Sequence, residues 1–145
     1  MKRWLGWATI VVAIAACGDS TGVEIDPAVA PFVGTWDAVV MTARADAPPN
    51  QEVDVLSIAA FWINIQPSGT YTATLEFPGA RPEIGRLKVE DASTLTLHPE
   101  VGDPAPSTYF FATPDSLILD GATEFDFNLD GTNEPAQGHI ELVRQ

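Results

Sequence analysis

The stretch Thr70–Phe77, TYTATLEF, alternates without a break, with Tyr71, Ala73, Leu75 and Phe77 on one side and Thr70, Thr72, Thr74 and Glu76 on the other. Successive side chains of a strand point to opposite faces, so a period of two with one apolar side specifies a strand buried on a single face. The alternation returns in GRLKVED, where Leu87 and Val89 oppose Arg86, Lys88 and Glu90. It returns again in TLTLH, where Leu95 and Leu97 oppose Thr94, Thr96 and His98. Between such runs stand Pro67-Ser68-Gly69, Pro78-Gly79, Asp91-Ala92-Ser93, Gly102-Asp103-Pro104 and Pro114-Asp115, all residues that turn a chain.

This punctuation predicts strands near 33–43, 60–66, 70–77, 84–90, 94–98, 107–113, 116–127 and 137–144. Mostly short turns join them, with nowhere to fit a long crossover helix. An antiparallel meander of this count hides its two edges by closing on itself. The expected fold is therefore all-β, a small antiparallel up-and-down β-barrel of about eight strands. A β-sandwich is the rival, but it needs longer arches than these turns provide. The longest irregular segment, 43–60, follows the first strand, where it would lie across one open end as a lid.

The N-terminus has a different character. Met1-Lys2-Arg3 is basic, the following residues to Ala16 are apolar apart from Thr9, and the run ends at Cys17, the single cysteine of the chain. Such a run is well short of the ~20 residues a membrane-spanning helix needs, and it has the layout of a secretory signal. Ile14-Ala15-Ala16-Cys17 resembles the bacterial lipobox. That resemblance implies cleavage before Cys17 and acylation, for example by palmitate, of its thiol. An ordinary signal peptide cleaved at the same place would leave a spare thiol with no internal partner.

The organisation expected is a lipoprotein signal peptide at 1–16, a lipidated cysteine and flexible tether at 17–31, and the barrel at 32–145. Each buried methylene of an acyl chain stabilises membrane attachment by ~0.8 kcal/mol, so several chains on Cys17 form a firm membrane anchor. Gly18 stands where an aspartate would resemble an inner-membrane retention signal. A cell-envelope protein of the outer membrane is the expectation.

The formal net charge is -13, and a chain that loses Lys2 and Arg3 with its signal carries -15. Such a surface repels nucleic acid and anionic head groups, which leaves the acyl chains as the membrane contact.

Phe32-Val33-Gly34-Thr35-Trp36 opens the first strand, and Leu142-Val143-Arg144 closes the last. Gly-x-Trp at the start, with a basic residue at the end, resembles the lipocalin and fatty-acid-binding (calycin) superfamily. Gln66-Pro67-Ser68-Gly69-Thr70-Tyr71 resembles a hairpin of small bacterial lipocalin-like lipoproteins. The resemblance implies that Gly34, Trp36 and Arg144 close one end of the barrel, with the arginine over the indole ring. No second lipocalin motif and no helix after the barrel is seen, so the resemblance does not carry ligand chemistry.

Parity places Val40, Ile63, Ile65, Val89, Leu95, Phe111, Leu117, Leu119, Ile140 and Leu142 inside, together with Tyr71, Leu75, Phe77, Leu87, Leu97, Phe125 and Phe127. The last seven are the candidates for binding a small hydrophobic ligand. Eight strands enclose a space that side chains either fill or leave open to one small molecule. With few cations available, a guest is expected to be uncharged, or anionic only at its exposed end. The alternative function is a solid-core barrel that docks a protein or glycan through its outer face, where Val39, Met41 and Phe110 are expected.

Asp126, Asn128 and Asp130 lie two apart before Gly131, with Glu134 beyond, in the order of the first half of a D-x-N-x-D-G calcium loop. Gln137 stands where that loop needs a bidentate glutamate. Two readings stay open, a weak structural calcium site and a plain hairpin turn at Asp130-Gly131.

No enzyme is expected. There is no Gly-x-Ser-x-Gly elbow, and His98 and His139 fall on the outer face by parity, without cysteines to complete a zinc site.

Overall fold

The computed structural model describes residues 25–128 and 130–145. The signal peptide, Cys17 and most of the tether lie outside the described residues. The strands are β1 (Gly34–Ala45), β2 (Glu52–Asp54), β3 (Ala60–Ile65), β4 (Thr70–Glu76), β5 (Glu83–Val89), β6 (Thr94–Pro99), β7 (Ala105–Thr113), β8 (Ser116–Phe125) and β9 (Glu134–Arg144). Every pairing is antiparallel, neighbours follow in chain order from β3 to β9, and β1 pairs with both β3 and β9. The eight strands other than β2 thus form a closed barrel, which leaves no long edge exposed.

The seam between β1 and β9 is long, running from Trp36↔Arg144 to Ala45↔Ala136. On its other edge, β1 gives only Gly34–Asp37 to β3 and pairs Thr42–Arg44 with β2. The segment 43–60, read from sequence as irregular, therefore contains a short strand and a 3-10 turn at Val55–Ser57. Asp54 caps that turn by accepting the Leu56 N–H at 3.0 Å.

One sequence boundary shifts, and one residue changes face. Residues expected in the tether belong to the folded unit: Val29 is buried, and a 3-10 turn at Ala30–Phe32 carries Phe32 into the core. Met41, expected outside, turns inward, because a bulge between Ala38 and Val40 adds one residue to β1 and inverts its alternation. Ala38 and Leu142 share the inner face before the bulge, Met41 and Ile140 share it afterwards, and Val40 sits opposite Glu141. Val40 joins neither the core nor the cavity wall described below.

One half of the interior is solid. Trp36, Tyr71, Phe32, Leu95, Leu117 and Leu142 are its fully buried large side chains, and Ile63, Ile65 and Leu87 pack with them. Removing each such side chain from water stabilises the fold by ~1.5–3 kcal/mol. Phe32 lies 5.0 Å, centroid to centroid, from both Tyr109 and Phe111, with the Tyr109 ring edge-on.

Candidate functional site: a sealed end and an open cavity

Arg144 holds the sealed end together. Its guanidinium carbon stands 4.1 Å from the Trp36 ring centroid. The same group donates to the Val33 and Pro31 carbonyls, the latter at 2.8 Å, to the Pro114 carbonyl at 3.2 Å and to Asp115 Oδ1 at 3.0 Å. The planar fork thereby ties the segment before β1, the β7–β8 turn and β9 to one point. Trp36 Nε1 donates to the Phe32 carbonyl at 2.7 Å, so the indole has no unmet polar atom. Gly34 makes the contact possible: its φ of 135° is strained for any side chain, and a Cβ there would come within 2.9 Å of Arg144 Nη1.

The other half is hollow. A cavity of about 420 Å³ is bounded by Met41, Phe61, Leu75, Leu97, Leu119 and Ile140, with Phe125 nearer the end. Its volume comes from small residues at wall positions: Ala43, Ala73, Ala105, Gly121 and Gly138. In the solid half the corresponding inner face carries Trp36, Ile65, Leu95 and Leu117. Val55, from the 3-10 turn after β2, also borders the cavity and is 3% exposed, so part of the segment 43–60 covers this end.

Of the seven sequence candidates for ligand contact, Leu75, Leu97 and Phe125 line the cavity. Tyr71 and Leu87 do not: they belong to the packed core. Phe77 is a correction, because β4 ends at Glu76 and the turn beyond leaves Phe77 46% exposed. Phe127 is another, since β8 ends at Phe125 and the Phe127 ring packs edge-on against Phe125, 5.1 Å between centroids, outside the cavity wall. Sequence reading missed Met41, hidden by the bulge, and the alanines and glycines, which carry no hydrophobic signal although their absent volume forms the space.

The polar side chains bordering the cavity are Thr42, Ser107 and Thr123 and the charged Arg81, Glu83 and Glu124. Glu83 lines it opposite Ala73 in the β4–β5 register, and its Oε1 accepts the Tyr71 hydroxyl at 2.6 Å. Burial, followed by this hydrogen bond and the nearby carboxylate, holds the Tyr71 phenol well above its usual range, so it stays a neutral donor.

In the acidic loop, Asp126 accepts the N–H groups of Asp130 at 3.1 Å and Gly131 at 2.8 Å, while Asn128 Oδ1 accepts the Asp130 N–H at 2.9 Å. Glu134 accepts the Phe127 N–H at 3.0 Å and the Asn128 amide at 3.1 Å. The hydrogen bond from Thr132 N–H, foremost, holds the Asp130 carboxyl below its usual range. Among the described residues no group of three or more His, Cys, Asp or Glu is arranged to hold a metal ion.

No protein-family model and no curated protein matches the chain. Similar solved structures include EF1p2_mFAP2b bound to DFHBI, at 19% identity and a TM-score of 0.47, covering 81% of this chain and 97% of that one. A redesigned β-barrel, b11L5F_LGL, is similar at 18% identity and a TM-score of 0.49, covering 81% of this chain and 95% of its own.

Proposed function

We propose that this chain is a lipocalin-like binding protein of the bacterial cell envelope, anchored by lipid on Cys17, which takes one small apolar molecule into the open half of its barrel and catalyses no reaction. The observation that carries this reading is the cavity itself. At about 420 Å³ it falls within the roughly 300–1,000 Å³ of small-molecule sites. Its wall is mainly aliphatic and aromatic, as expected where burial of apolar ligand surface provides the affinity. The sealed end makes the site blind, with access from the other end.

The test is titration with the neutral dye N-phenyl-1-naphthylamine, read by its fluorescence. Ala105→Phe places a ring in the cavity and is expected to weaken binding at least about tenfold, while circular dichroism shows the barrel intact. Phe77→Ala, outside the cavity, leaves binding unchanged. Absence of dye binding by the unaltered protein, or indifference to Ala105→Phe, would refute the proposal.

A further inference from the structure

We infer that Glu83 is the polar specificity group of this cavity and selects an apolar ligand carrying an amine. The inference rests on the cavity being a ligand site and names the chemistry it prefers. Glu83 is a strand residue on the inner face, fixed there by its register with Ala73, which is itself buried. The Glu83 side chain is exposed at the open end, so the carboxylate stays hydrated until a guest arrives, yet it borders the mainly apolar cavity. The carboxylate is held in place, because the fully buried Tyr71 donates its hydroxyl to Oε1 at 2.6 Å.

Room for that hydroxyl is made by Gly85, where a Cβ would lie 2.7 Å from the Tyr71 oxygen. Tyr71, Gly85 and Glu83 thus form a supported polar point on the wall. One carboxylate oxygen is engaged, which leaves the acceptor capacity of the other for a guest. No Lys or Arg lies within ion-pair distance of Glu83 among the described residues. Arg81 is likewise exposed and borders the same space, but it stands in the β4–β5 connection, outside the strands that fix the wall. The formal charge of -13 favours approach of a cation over an anion. A protonated amine on an apolar body meets all of these features: the body fills the aliphatic wall and the head donates to Glu83.

The experiment compares nonylamine, nonanol and nonanoic acid as calorimetric titrants of the full folded domain at moderate salt. Nonylamine is expected to bind about tenfold tighter than nonanol, and nonanoic acid weakest. Glu83→Gln, whose amide oxygen still accepts from Tyr71, is expected to bring amine and alcohol within about twofold. Glu124→Gln removes the same charge from a second exposed residue bordering the cavity and is expected to leave the preference intact. Equal binding of the three probes would overturn the role of Glu83 while sustaining the cavity as a site. That role is equally overturned if Glu124→Gln erases the amine preference as fully as Glu83→Gln, or if nonanoic acid binds best and loses its advantage in Arg81→Gln. Binding of none would overturn both readings.

Discussion

Replacing Arg144 tests how the sealed end is held. The guanidinium 4.1 Å from the indole centroid contributes about 1 kcal/mol at a partly exposed site. Hydrogen bonds from a charged donor contribute up to about 1.5–3 kcal/mol. Because the side chain keeps 26% exposure, about 1 kcal/mol each is assigned to those with the Pro31 and Val33 carbonyls. The ion pair with Asp115, whose side chain is 74% exposed, adds at most about 0.5 kcal/mol. Arg144→Met should therefore destabilise the fold by about 3 kcal/mol. Arg144→Lys keeps the charge but not the planar fork, and should lose about 2 kcal/mol. Urea unfolding, followed by tryptophan fluorescence, reads the Met variant as a midpoint lowered by about 2 M. A loss below about 1 kcal/mol for Arg144→Met, or an equal loss for Asp115→Asn, would refute the idea that the fork over Trp36 locks this end.

Further outcomes can be checked separately. Gly85→Ala should destabilise the barrel by about 1–3 kcal/mol in the same assay, because the new methyl would meet the His98 carbonyl at 2.4 Å and the Pro99 Cα at 2.8 Å. His139 Nδ1 lies 2.6 Å from Asp120 Oδ1, and this hydrogen bond foremost, aided by Glu141 and opposed by partial burial, raises the imidazole pKa. Its charged form contributes stability that is complete below the unfolded value of about 6.5 and disappears as pH rises through the raised folded value. With the ring 37% exposed, the effect stays within about 0.2–1 kcal/mol. The melting temperature should fall slightly across neutral pH relative to His139→Gln, and a rise would contradict the assignment. Cys17→Ser should move the protein from the membrane to the soluble fraction of its native host, with the acyl mass lost in mass spectrometry; unchanged membrane retention would refute the lipid anchor.

The closed barrel was legible in the chain because strand alternation and turn chemistry are local. Tyr71-x-Ala73-x-Leu75 states its faces within a few residues, and the Pro-Gly and Asp-Pro punctuation states where the chain reverses. The cavity was not legible, because its volume is a sum over many strands and no single residue announces it. Ala73, Ala105 and Gly138 are inconspicuous in sequence and become the wall only when the register places them around one space. Met41 was misplaced because one inserted residue in β1 reverses parity, and nothing in Ala38-Val39-Val40 marks where the ladder slips. Phe77 and Phe127 continued an alternation past the points where β4 and β8 end.

Alternation of small spacing therefore determined, from sequence alone, that this chain makes a ring of antiparallel strands. Only the tertiary structure decided that the ring is solid at the Trp36 end and hollow at the other. The reason is physical: strand formation depends on neighbours along the chain, whereas empty volume depends on which side chains, far apart in sequence, meet across the barrel.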